Sequence, residues 1–149
     1  MKQVKVKKLH PDAVIPKYAT AGAACFDLHC IEDGLKAHPK DEHAAIFRTG
    51  LAFEIPDDHA MLIFSRSGHG FKDALRLSNC VGVIDQDYVG EVMVSLRFDA
   101  SGEYRCSKVR PGDRIAQAMI LPVQQVQLLE VEELKSTQRG TSGFGSTGK

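Results

Sequence analysis

The residue types best suited to chemistry crowd into the C-terminal end of the sequence, Arg139-Gly-Thr-Ser-Gly-Phe-Gly-Ser-Thr-Gly-Lys149. Gly140, Gly143, Gly145 and Gly148 let backbone N–H groups approach an anion closely. Ser146 and Thr147 add hydroxyl donors, and Arg139 adds a planar, permanently charged fork matched to phosphate oxygens. Phe144 sits among them as a cover for a flat ring. Gly143-Phe-Gly-Ser-Thr-Gly148-Lys149 also matches the start of a P-loop, G-x-x-x-x-G-K. A P-loop needs a buried strand before it, a Ser or Thr after the Lys and a helix facing the phosphates; the sequence given ends at Lys149, so none is expected. The bland reading is a low-complexity tail without a role, and Arg139 and Phe144 weigh against it.

Two further clusters could act with this tail. Asn79 to Glu91 joins one apolar strand to the next through a turn holding Asp85, Asp87 and Tyr88. In an ordinary hairpin the aspartates only form the turn. Asp85, however, directly follows Val83-Ile84. A carboxylate leaving an apolar strand is expected to be partly desolvated and able to hold a water for attack, as a general base must. The second cluster, Ser65-Arg-Ser-Gly-His-Gly-Phe71, follows the apolar run Met61–Phe64; Arg66, Ser67 and the Gly68 backbone supply the donors that a triphosphate needs, in a tight loop. His69 has no legible Ser or Cys nucleophile nearby and reads as a surface or loop-packing histidine. Gln117 is a polar intrusion in an apolar stretch, satisfying backbone or pointing its amide at a ligand.

Strands must position these clusters. Period-two alternation recurs at Val4 and Val6, at Phe26, Leu28 and Cys30, at Leu51, Phe53 and Ile55, from Val92 to Phe98, and at Val126 and Leu128. Turn clusters such as Glu32-Asp-Gly34, Pro56-Asp-Asp58 and Arg110-Pro-Gly-Asp113 separate them, a spacing expected of an all-β sandwich or barrel. At most Gly70 to Leu75 forms a short helix or turn. Arg114 to Val123 is nearly continuous apolar sequence and predicts a strand buried on both faces, within a sandwich core or against another subunit.

The chain of 149 residues fits one domain, with residues 1–134 as the β domain and 135–149 as a Gly-rich lid. Nineteen basic and nineteen acidic residues give zero formal net charge, which argues against nucleic-acid or anionic-membrane binding. The basic N-terminus leads into no apolar stretch, so a soluble, cytoplasmic protein is expected. Cys25, His29 and Cys30 invite a metal reading. On an alternating strand Cys25 and Cys30 point oppositely, so buried free thiols are expected instead.

Taken in order, Thr20–Leu28, Arg66-Ser-Gly68, Asn79–Gly90, Gly112–Gln117 and Arg139–Gly148 resemble the motifs of the homotrimeric dUTP diphosphatases (dUTPases), over nearly all of the chain beyond the first strand. The resemblance implies an all-β, jelly-roll (β-clip type) subunit with little helix. It implies a homotrimer with sites at subunit interfaces and Mg²⁺-dependent hydrolysis of dUTP to dUMP and pyrophosphate, which keeps uracil out of DNA and supplies dUMP for thymidylate synthesis. Asp85 would activate the water. Arg66, Ser67, Gly68 and Gln117 would bind phosphates; Asn79 with the Val83 and Ile84 backbone would read uracil; Tyr88 would pack under the deoxyribose; Met93 would also contact nucleotide. From the tail, Phe144 would stack on uracil, Gly145 would contact nucleotide, and Arg139, Ser146 and Thr147 would clamp the β- and γ-phosphates. Mg²⁺ would be held mainly by phosphates and waters, with Asp27 orienting a water near it. Ser65 replaces the usual proline, His69 an apolar residue, and Cys25-Phe26 the usual Gly-Tyr.

Two rival readings share these features. A dCTP deaminase shares the fold and triphosphate loops but would expel ammonia, and the complete Gly-Phe-Gly-Ser-Thr-Gly tail favours the diphosphatase. A regulatory protein would use the nucleotide-gated lid to grip a protein partner, and retention of Asp85 argues for a working enzyme.

Overall fold

The structure, a computed structural model, describes residues 3–32, 36–38, 41–99 and 109–143. Ten strands and one short helix succeed one another there: β1 Lys5–Lys8, β2 Phe26–His29, β3 Lys36–His38, β4 Asp41–Arg48, β5 Leu51–Glu54, β6 His59–Phe64, α1 Ser67–Asp73, β7 Leu75–Leu77, β8 Val81–Ile84, β9 Met93–Phe98 and β10 Arg114–Pro122. Their pairings are antiparallel throughout. The strand orders are β1-β5, β2-β10-β6-β8 and β3-β4-β9-β7. The two four-stranded sheets enclose one core in which Leu28, Met61 and Ile115 meet Phe47, Val94 and Leu96, each almost wholly buried. This is the sandwich expected from the alternation and the jelly-roll arrangement implied by the resemblance; β2 and β9 bury every second side chain. On β2, Phe26 and Leu28 enter the core while Asp27 and His29 face outward.

The helix lies slightly earlier than the sequence suggests. Arg66 caps it in an extended conformation (φ −88°, ψ 135°), and Ala74 ends it in the left-handed region (φ 52°). Glycines 68 and 70 weaken it and none of its residues is buried, so its position depends on its ends.

One expectation fails, and a second holds in part within the single chain. Val126 and Leu128 form no strand, and they are 67% and 90% exposed. Alternation makes a segment competent to be a strand, but a strand exists only where another edge accepts its hydrogen bonds, and among the described residues no strand pairs with residues 124–134. The expected two-faced burial of residues 114–123 holds only near the start: Ile115, Ala116 and Ala118 are fully buried, whereas Leu121 and Val123 are exposed. Beyond Ile120 the strand still pairs with β6, Leu121 opposite Ala60 and Pro122 opposite His59, but no longer with β2.

Candidate active site

The antiparallel register of β2 and β10 places Asp27 opposite Gln117, and Gln117 is also opposite Phe64 at the end of β6. Residues far apart in sequence thereby meet around one carboxylate. Arg66 donates from Nε to Asp27 Oδ1 at 2.8 Å, and Arg114 from Nη1 to Asp27 Oδ2 at 3.2 Å. Gln117 donates from Nε2 to the Ser65 carbonyl at 2.9 Å, tying the start of α1 to β10. His69 donates from Nε2 to the Arg114 carbonyl at 2.7 Å and faces Asp73 across 3.4 Å, which bears out a packing histidine. Asp27, Arg66, Ser67, Gly68, Arg114, Gln117 and the Ala23–Cys25 segment line a cavity of about 350 Å³. Arg66, Ser67 and Gly68 form the start of a helix rather than a tight loop, because the chain leaves β6 and must turn back to β7. No side chain caps that first turn, so its amides stay available to an anion. Two guanidinium groups against one carboxylate leave the cavity with an excess of positive charge.

A second cavity, of about 510 Å³, shares no lining residue with the first; its walls include Asn79, Gly82, Val83, Ile84, Met93 and Ser95. Leu77 and Ser78 at the end of β7 complete it, and Ser78 is fixed by Oγ···Oγ contact with Ser95 at 2.8 Å. Ser65, where a proline is usual, accepts the Leu77 N–H on its hydroxyl at 2.9 Å. That amide points off the free edge of β7 in a buried residue, so the hydroxyl satisfies a donor that would otherwise be orphaned.

Asp85 leaves β8 directly after Ile84, at the edge of this second cavity, and its carbonyl accepts the Tyr88 N–H at 3.2 Å to close the turn. The expected partial desolvation of Asp85 is not present. Asp85 is exposed because β8 is an edge strand whose outer face is open: Val83 is 60% exposed and Met93 beside it 54%. Arg139 lies in an exposed turn, donating from Nε to the Ser142 carbonyl at 3.0 Å, away from both cavities. Phe144, Gly145, Ser146 and Thr147 lie outside the described residues. Among the described residues no helix is long and apolar enough to cross a membrane.

A family model described as dUTPase matches residues 11–148. The chain belongs to the dUTPase family. It is similar to the deoxyuridine 5'-triphosphate nucleotidohydrolase of Nautilia profundicola, with 45% identity over 147 residues and 99% of each chain covered. A structure of the Staphylococcus bacteriophage 80alpha dUTPase with dUPNHPP matches with a TM-score of 0.83 and 25% identity, covering all of both chains. A dUTPase mutant from phage phi11 of S. aureus, whose structure describes the coordination of a structural Mg(II) ion, matches at a TM-score of 0.76 and 23% identity, covering 91% of this chain and all of that one. As a dUTPase, the protein is a nucleotide hydrolase that acts on dUTP.

Sequence reasoning about this dUTPase missed Arg114 as a site residue and missed Ser78 and Ser95 as cavity walls. Arg114 had a signal, the lone cation beside Gln117 in an apolar stretch, whereas the serines carried none because only the β7–β9 pairing brings them together. The described thiols are free, as expected, but only Cys30 is fully buried: Cys25 is half-buried and Cys80 is exposed in the left-handed region at φ 63°. Burial pushes the Cys30 thiol up to about 11. At pH 8 the reactive thiolate of Cys30 is then about one part in a thousand. An alkylating reagent is expected to label Cys80 in the folded enzyme well before Cys30, as peptide mass mapping over time would show.

Proposed function

We propose that the two cavities hold opposite ends of dUTP and that Asp85 activates the water that attacks the α-phosphorus, releasing dUMP and pyrophosphate. The observation that carries this reading is the placement of Asp85 next to Ile84 at the edge of a cavity walled by Asn79 and β8. The free outward backbone of an edge strand can read uracil's polar edge, Asn79 can add a side-chain amide, and Tyr88 then lies where the deoxyribose would sit. Met93 contacts the nucleotide from the facing strand. Arg66, Ser67, Gly68 and Gln117 receive phosphates, and Arg139, Phe144, Gly145, Ser146 and Thr147 of the lid, residues 135–149, close over uracil and the β- and γ-phosphates.

Mg²⁺ fits this arrangement as a phosphate-held ion. Among the described residues no three His, Cys, Asp or Glu groups converge on a metal position, and both Asp27 oxygens face guanidinium groups. Asp27 keeps lone pairs for a water but is not a free ligand. Bound with the triphosphate, the ion would neutralise developing charge. For the protein's own part, Arg66 and the α1 amides hold the phosphates, and Asp85 takes the proton from water.

A homotrimer with shared sites completes the reading. Val126, Leu128, Leu129 and Leu134 are exposed beside Glu130, Glu132 and Glu133, while Lys-rich β1 pairs, among the described residues, only with β5 and borders an apolar hollow lined by Val4, Val6, Tyr18 and Phe53. Docking of residues 123–134 on a second copy would bury apolar surface and pair opposite charges. The rival deaminase reading and the substrate are tested together by measuring pyrophosphate and ammonia from dUTP, dCTP, dTTP and UTP with Mg²⁺. Pyrophosphate from dUTP, with no ammonia from dCTP, is the expected outcome; ammonia from dCTP would replace this reading.

A further inference from the structure

Tyr88 is 43% exposed, yet its ring is held at two points by residues that line neither cavity. Its hydroxyl donates to the main-chain carbonyl of Glu91 at 2.9 Å. Its ring also rests on the bare α-carbon of Gly90: a Cβ there would stand 2.7 Å from Tyr88 Oη, 2.8 Å from Cζ and 3.2 Å from Cε2. The carbonyl that receives the hydroxyl belongs to a firmly anchored residue. The Glu91 carboxylate accepts the Arg48 Nε–H at 3.2 and 3.0 Å and the Gly50 N–H at 2.8 Å. Next to it, Val92 donates its N–H to Leu51 at 2.8 Å and accepts the buried Thr49 hydroxyl at 2.6 Å. The end of β4 and the start of β5 therefore grip residues 91–92, and those residues grip the tyrosine.

We propose that Glu91, anchored by Arg48, and Gly90 are positioning residues for sugar specificity: they fix the Tyr88 ring at the distance from the deoxyribose that leaves no room for a 2′-hydroxyl. The inference rests on the reading of Tyr88 given above. A hydroxyl is rejected sterically only if the wall cannot retreat, and a ring exposed on one side retreats unless it is clamped. Glu91→Ala removes the anchor of the carbonyl. Gly90→Ala displaces the ring directly without touching the ion pair, and Tyr88→Phe removes the hydroxyl tether alone.

The measurement is the ratio of kcat/KM for dUTP to that for UTP. Loss of stability lowers both rates in proportion to the folded fraction and leaves the ratio unchanged. Glu91→Ala and Gly90→Ala are each expected to lower the ratio about tenfold or more, whereas Glu91→Gln, which keeps an oxygen for Gly50, retains most of it. Tyr88→Leu serves as the control. If Tyr88→Leu leaves the ratio unchanged, the sugar reading fails and this proposal with it. If Tyr88→Leu collapses the ratio while the folded Glu91→Ala and Gly90→Ala variants stay within about twofold of the parent, only the positioning proposal is overturned. Should Glu91→Ala fail to fold, Gly90→Ala and Tyr88→Phe decide by the same ratio.

Discussion

Asp85→Asn is expected to lower kcat for dUTP by about 10²- to 10⁴-fold while nucleotide binding stays within a few-fold of the parent. The turn should survive the change, because Asp85 contributes its main-chain carbonyl to the Tyr88 N–H and asparagine keeps that carbonyl. Little folding energy is at stake, since the residue is exposed. What disappears is the acceptor for the water proton. In the single chain Asp85 is open to solvent, so on the proposed reading the environment that sharpens the base comes from the nucleotide and from the lid. Single-turnover hydrolysis alongside dUPNHPP binding separates the two effects. Near-parental turnover in Asp85→Asn would remove the residue from the mechanism.

Truncation after Lys135 is expected to leave a folded trimer with almost no activity. Residues 136–143 are exposed, and the core lies between the sheets, so their loss costs no packing. Activity would fall because, on the proposed reading, Arg139 and the residues beyond it complete the site. The larger effect comes from mixing. If Asp85 and the lid of one site belong to different subunits, exchange of Asp85→Asn chains with tail-deleted chains in equal amounts creates sites with both parts intact. Random assembly gives each position an even chance of the competent chain, so about a quarter of the sites should work. Two inactive preparations would produce an active one. Mixtures that exchange subunits, as shown by sedimentation of a tagged chain, yet remain inactive would mean that each lid closes over its own Asp85.

Much of this protein is local and therefore legible in order along the chain. Alternation alone placed β2, β5 and β9, because a side chain's inward or outward direction on a strand is set by its neighbours two residues away. The residue types of the Arg66, Asp85 and Arg139 clusters are those that phosphate and an attacking water would require, and their order along the chain carries the family. Pairing is not local. Asp27 meets Arg66 across 39 positions and Arg114 across 87, and nothing in the spacing says which edge of β2 receives β10. The same dependence explains the failures. Val126 and Leu128 have a strand's pattern but pair with no strand among the described residues, and Asp85 follows an apolar strand that lies at the rim of its sheet. The hold of Arg48 and Gly50 on Glu91, and of Gly90 on Tyr88, likewise appears only when β4, β5 and the turn before β9 come together. Sequence determined which groups this dUTPase has and where along the chain they fall. Tertiary structure decided which of them touch and which face water, because hydrogen-bond partners and burial are properties of the assembled sheets rather than of any segment.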